Sequence, residues 1–214
     1  MPVIHKSGVL NRLYDWLALS DPPQPADVIF VLAGRECRKS FGLRLLEEDW
    51  AATLLLSVDR FEIRRFAGLK LPVSLDLLSF ASATEPRYRH YFVKIERGTA
   101  DPRRIVVGRF GTWSEILAFS DWLTLNGPIG SVLVVSSGFH LRRVRMCCRR
   151  LVRDGTKLTF VAVPDESRHF RSYWWLNPNA RKLILSELLK VAIYGMLGQR
   201  LMKQACSTPA FTEG

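Results

Sequence analysis

His140 stands in a run of residues that could share a proton or hold an anion. Ser136, Ser137 and Gly138 precede it, and Arg142 and Arg143 follow. A histidine titrates near neutral pH and can serve as general acid or base. Hydroxyls and guanidinium groups bind the oxygens of a phosphate or carboxylate. The run follows Val132-Leu133-Val134-Val135 and opens an arginine-rich amphipathic segment. That order reads as a buried strand, a tight turn and a helix start, the place where backbone N–H groups attract anions. The same residues fit a plainer use: Ser137 capping a helix and His140 bonding locally. Both readings stay open at this stage.

Other residues extend the candidate site. Gly34 permits a tight turn or close backbone approach, and Arg38 follows it at a helix start. A single glycine here is neither a dinucleotide fingerprint nor a phosphate-cradling loop. Thr112 and Glu115 have the T-x-x-E spacing of a capping box, and spacing favours that role. Glu115 could otherwise act as a base or hold an arginine. Asp59, after the second strand, is the obvious acidic group for a ribose. His140 and Glu115 alone are too few ligands to predict a metal.

Strands that carry such turns must be buried on both faces. Residues 27–33, 53–58, 104–107, 131–135 and 158–163 are short, largely apolar runs, the pattern of parallel strands. Helical spacing marks 8–19, 38–50, 61–69, 112–125, 141–153 and 179–197. Residues 71–98 read as an irregular insertion with a short helix. Alternating strands and helices give the fold class α/β: a mainly parallel five-stranded sheet with helices on both faces. The expected organisation is an N-terminal helix and Pro-rich linker over 1–26, one domain over 27–198, and a disordered tail over 199–214.

Composition bounds the partners. The chain has 214 residues, 48% of them hydrophobic, which suits one domain with a sizeable core. A formal charge of +11 favours anionic partners without choosing among them. On the helix after His140, Leu141, Val144, Cys148 and Leu151 share an inward stripe, while Arg142, Arg145, Arg149 and Arg153 share a flank. Few exposed aromatics interleave with these arginines, which argues against nucleic acid. Cys37, Cys147, Cys148 and Cys206 lack zinc or C-x-x-C spacing and read as reduced thiols. With no signal-peptide core and no membrane-length apolar run, the expected location is cytoplasmic. Trp174-Trp175 and the lysines of the final helix leave peripheral contact with the inner membrane open.

Four segments together resemble the YdcF-like family, described as the SanA and ElyC type and as domain of unknown function 218. They are the strand ending at Gly34 with Arg38 after it; Thr112-Trp113-Ser114-Glu115; Ser137, His140 and Arg143 as S-x-x-H-x-x-R; and Trp174-Trp175 followed by Glu187, Lys190 and Tyr194. The resemblance covers roughly residues 27–198. Arg35-Glu36 and Ser57-Val58-Asp59 depart from the family's glycine-richer first and second turns. The resemblance implies a Rossmann-like three-layer sandwich with a polar cleft at the strand ends. It implies a role at the bacterial envelope, in polysaccharide assembly or lipid-carrier handling; one branch is linked to S-adenosylmethionine. The resulting expectation is a protein that binds or processes an anionic small molecule or lipid-linked phosphate. Gly34, Arg38, Thr112, Ser136, Ser137 and Arg143 would hold the ligand, and His140 and Glu115 would do acid–base work. Two alternatives stand beside it: a non-catalytic nucleotide or S-adenosylmethionine module, and a basic surface for nucleic acid or membrane. Cofactor, turnover and oligomeric state are not specified by these residues.

Overall fold

The computed structural model describes residues 3–66, 68–69, 71, 75–108, 111–153, 155–164 and 174–205. Helix α1 (Val3–Leu17) precedes β1 (Val28–Val31), α2 (Glu36–Glu47) and β2 (Thr53–Val58). Two short helices follow, α3 (Ile63–Phe66) and α4 (Leu77–Ser82), then the hairpin β3 (Tyr91–Glu96) and β4 (Thr99–Arg104). The chain continues as α5 (Gly111–Leu125), β5 (Ser131–Ser136), α6 (Gly138–Leu151), β6 (Lys157–Ala162) and α7 (Pro178–Ala205).

The strands form one six-stranded sheet in the order β4-β3-β2-β1-β5-β6. β1 pairs in parallel with β2 and β5, and β5 with β6, whereas β3 is antiparallel to both β2 and β4. Side chains alternate across β1. Val28, Phe30 and Leu32 join the core beneath α5 and α6, and Ile29 and Val31 join the core beneath α2, α3 and α4. Helices therefore cover both faces. On one face Phe119 of α5 stacks on Phe30 with ring centroids 4.1 Å apart. On the other, a Cβ at Gly42 would lie 2.4 Å from Val31 Cγ2, so the glycine lets α2 press against β1. A third cluster, including Tyr14, Leu17, Phe139, Trp174 and Ile184, packs α1 and α7 onto α6.

The edge strand β6 is stitched to residues ahead of the sheet. Asp21 N donates to Phe160 O at 2.7 Å, Phe160 N to Asp21 Oδ2 at 3.0 Å, and Ala162 N to Ser20 Oγ at 3.1 Å. Open strand edges invite pairing with other chains, and these bonds occupy this one.

Two expectations need correction. The sheet has six strands, not five, and it is mixed. Residues 104–107 are not a third parallel strand: β4 ends at Arg104, and Ile105 N adds a bond to His90 O at 2.8 Å. The supposed insertion supplies β3 instead. Arg97 and Gly98 both have positive φ (48° and 78°), as a tight two-residue hairpin requires, and they return the chain into β4. The Pro102 ring is tolerated because β4 is an edge strand.

Candidate functional site

The strand order reverses at β1: β2 lies on one side of it and β5 on the other. Open α/β sheets bind ligands in the crevice outside the carboxyl ends of the strands at such a reversal. Here that crevice lies between Ala33-Gly34, after β1, and Ser136-Ser137, at the end of β5.

Arg38 spans it. Its Nε and Nη2 donate to Ser137 Oγ at 3.0 and 2.7 Å, and its Nη1 donates to Ala33 O at 2.5 Å. Gly34 makes room, with φ at +141°; a Cβ there would stand 2.4 Å from Arg38 Nη1. Ser137 occupies the N-cap position of α6, but its hydroxyl caps nothing and serves the arginine.

His140 is buried in the first turn of α6. Its Nδ1 lies 2.8 Å from Ser136 Oγ and its Nε2 lies 3.3 Å from Thr112 Oγ1. Burial pushes the ring's pKa well below its ordinary value, and the charges of Arg143, Arg38 and Lys190 push it further. The same burial disfavours the protonated form of His140. Thr112 also accepts from Arg143 Nη1. The remaining donors of Arg143 grip Glu187: Nε to Oε2 at 3.0 Å and Nη2 to Oε1 at 3.1 Å. Lys190 Nζ donates to Glu187 Oε1 at 2.8 Å, and the Tyr194 ring lies under Arg143, 5.4 Å from its guanidinium carbon. The network joins α5, α6 and α7 at the end of β5.

Among the described residues Glu115 neither caps α5 nor bonds to an arginine or to His140. Its Oε1 accepts from Ala33 N at 2.8 Å, and it also bonds to Ser57. Desolvation raises its pKa, partly offset by those two hydrogen bonds. Thr112, likewise, lies inside α5 and faces His140 and Arg143, so the T-x-x-E spacing serves tertiary contacts and not a capping box.

The sequence reading missed a second buried cluster beside the first turn. Lys39 Nζ meets Glu62 Oε1 at 2.5 Å, and the same carboxylate accepts from Gly34 N at 2.8 Å and Asp59 N at 3.0 Å. Burial lowers the pKa of Lys39 and raises that of Glu62. Lys39 shares its helix face with Leu43, an i, i+4 pairing that places it inward and was the available signal. His90 was missed as well; it lies 2.9 Å from Ser57 Oγ, and burial lowers its pKa to about 4. Glu187 was read as a polar residue among or beside the apolar face of the final helix, and again in the family resemblance, in neither case with Arg143 as its partner.

Two arginines of the basic flank of α6, Arg142 and Arg145, meet aromatic rings within the molecule, and Arg150 beside the flank meets a carbonyl. Arg142 stacks on Trp16 at 4.3 Å, Arg145 on Phe160 at 5.3 Å, and Arg150 donates to Tyr194 O at 3.3 Å. Burial raises the Cys147 thiol to about 12 and the Cys148 thiol also, so neither is a nucleophile at neutral pH. Among the described residues, no group of three or more His, Cys, Asp or Glu is placed to hold a metal ion. No helix among them is long and apolar enough to cross a membrane. Comparison of the chain with family models, with curated proteins and with solved structures finds no match.

Proposed function

We propose that this chain binds a phosphorylated small molecule or lipid-linked phosphate in the crevice between β1 and β5, as a YdcF-like protein serving the bacterial envelope. One observation carries the reading. Arg38, Ser136, Ser137, Thr112, His140 and Arg143 come from three helices and a strand end, yet converge where the strand order reverses. Buried cationic and hydroxyl donors at that position suit a phosphate. We read the layering as Rossmann-like, which fits the same site. In this reading Arg38 gives up Ser137 and Ala33 O to meet the anion, and neutral His140 is the base. The protein would work in the cytoplasm, touching the inner membrane from its surface where the ligand is lipid-linked.

A binding module without turnover is the second reading, and a specific observation favours it. Both ring nitrogens of His140 and all three nitrogens of Arg143 already have partners within the protein. An anion reaching Arg143 must displace Glu187 or join it.

The test is a thermal-shift screen against polyprenyl phosphates, nucleotide sugars, nucleotides and S-adenosylmethionine, because binding to the folded state alone raises Tm. A polyprenyl phosphate should raise Tm, and Arg38→Gln should abolish the rise. His140→Gln should retain binding while removing turnover of that ligand; turnover retained in this variant would show that His140 is not the base, and binding without turnover by the wild type would leave the module reading standing. A polyprenyl phosphate whose shift survives Arg38→Gln does not sit in this crevice, and the proposal fails.

A further inference from the structure

On the far side of β2 from the crevice lies a cavity of about 410 Å³. It is bounded by the residues after β2, the start of β3 and the segment after β4. Among the described residues four arginines line it, Arg60, Arg87, Arg89 and Arg104, with one carboxylate, Asp59. Two aromatic rings, Phe61 and Tyr88, stand at its rim 70% and 48% exposed, large apolar surfaces left open to solvent. An arginine lies over each ring: Arg60 over Phe61 at 4.5 Å and Arg87 over Tyr88 at 4.6 Å. None of the crevice residues His140, Thr112 or Arg143 lines this cavity.

We infer that this cavity is a nucleoside diphosphate site. The volume falls within the usual range for small-molecule pockets, roughly 300–1,000 Å³. The excess of arginines around the recess favours an anion that can meet more than one guanidinium group. It equally disfavours a sulfonium cofactor such as S-adenosylmethionine. Inorganic phosphate or pyrophosphate would satisfy the arginines but gives no use to the two exposed rings. A planar base stacks on such rings, and here exposed rings stand beside arginines that can hold the phosphates. The arginines are positioned to let go. Arg87 is held by Glu85 in an exposed pair at 2.9 Å, which is cheap to break. Arg89 donates its Nε to Thr84 O at 2.7 Å, a bond to a backbone carbonyl. The floor connects to the crevice: His90 bonds to Ser57, Ser57 to Glu115 and Glu115 to Ala33 N. The inference stands independently of the crevice reading.

Isothermal titration of the full chain with UDP, ADP, inorganic pyrophosphate and uridine tests it. At least one diphosphate should bind at least tenfold more tightly than pyrophosphate, and uridine should not bind measurably. Arg60→Gln with Arg87→Gln should weaken that affinity at least tenfold, and Phe61→Ala at least threefold. All three side chains are exposed, so the melting temperatures of these variants should stay near that of the wild type. Arg38→Gln and His140→Gln should leave the nucleotide affinity unchanged. Three results would overturn the inference: no binding of either diphosphate, pyrophosphate binding as tightly as the nucleotides, or undiminished affinity in the double variant.

Discussion

Glu187 and Thr112 decide what Arg143 can do. The guanidinium is 8% exposed and its carboxylate partner 5% exposed, so each is the other's main compensation for leaving water. Removing one member of such a pair strands the other. Glu187→Ala should therefore cost about 3–5 kcal/mol in chemical denaturation. Arg143→Ala should cost less, because Lys190 still holds the carboxylate at 2.8 Å. Replacing both with apolar residues of similar volume, Arg143→Met with Glu187→Leu, should restore most of the loss. A Glu187→Ala cost under about 1 kcal/mol would show that the pair is not what ties α6 to α7. The residues of this network were legible in part. The S-x-x-H-x-x-R spacing indicated Ser137, His140 and Arg143, because a turn and one helical turn place them together without any long-range information. Their partners were not legible. Glu187 is 44 positions from Arg143 along the chain, and in an amphipathic helix a buried glutamate looks like one more polar residue among leucines. Glu115 misled for the converse reason: its local spacing matched a cap, while packing of α5 across the end of β1 gave it a stronger use.

At the scale of elements, the turn after β1 couples helix α2 to the crevice. Gly34 sits at φ +141°, a region side-chain-bearing residues rarely enter, and its missing Cβ leaves the space that Arg38 fills. Its N–H also donates to Glu62 at 2.8 Å. Gly34→Ala must strain the backbone and push Arg38 off Ala33 O. A cost of about 2 kcal/mol is expected, which for a chain of this length is a fall in Tm of roughly 4–8 °C. The same variant should lose any ligand shift that depends on Arg38. A Tm within a degree of the wild type would mean that the turn relaxes and that Arg38 is not held by it. The four parallel strands were readable because burial on both faces leaves uninterrupted runs such as Val28-Ile29-Phe30-Val31. The β3–β4 hairpin was not. β3 carries Lys94 and Glu96 towards partly exposed positions, and β4 reads Thr-Ala-Asp-Pro-Arg-Arg, with no residue fully buried. Its strand geometry comes from register with β3, and its turn uses Arg97-Gly98 where Asn-Gly would have announced a hairpin.

For the molecule as a whole, burial of titrating groups makes stability depend on pH in two opposing ways. His90 falls from 6.5 to about 4, chiefly through desolvation. The unfolded chain accepts a proton that the folded one refuses, so the contribution of this ring is full above pH 6.5 and is lost as pH falls towards 4. His140 acts with the same sign. Glu62 and Glu115 act with the other: their folded pKa values are raised, so their contribution is full below the ordinary carboxylate range and is lost as pH rises above it. A net charge of +11 adds general repulsion as the remaining acids are neutralised. The wild-type curve sums all of these, and no single group can be read from it. The difference between wild type and His90→Gln can be, because every other group cancels. Glutamine still offers Ser57 a polar partner but cannot titrate. Between pH 7 and pH 4.5 the wild type should lose about 2 kcal/mol relative to the variant; the full shift sets a slightly larger ceiling, and the partial exposure of the ring reduces it. Urea denaturation of both proteins at several pH values measures that difference directly. Parallel stability curves would mean that water reaches His90 in the folded state. The cavity floor would then be wet, and the path from His90 through Ser57 to Glu115 would not be a dry connection between the two sites.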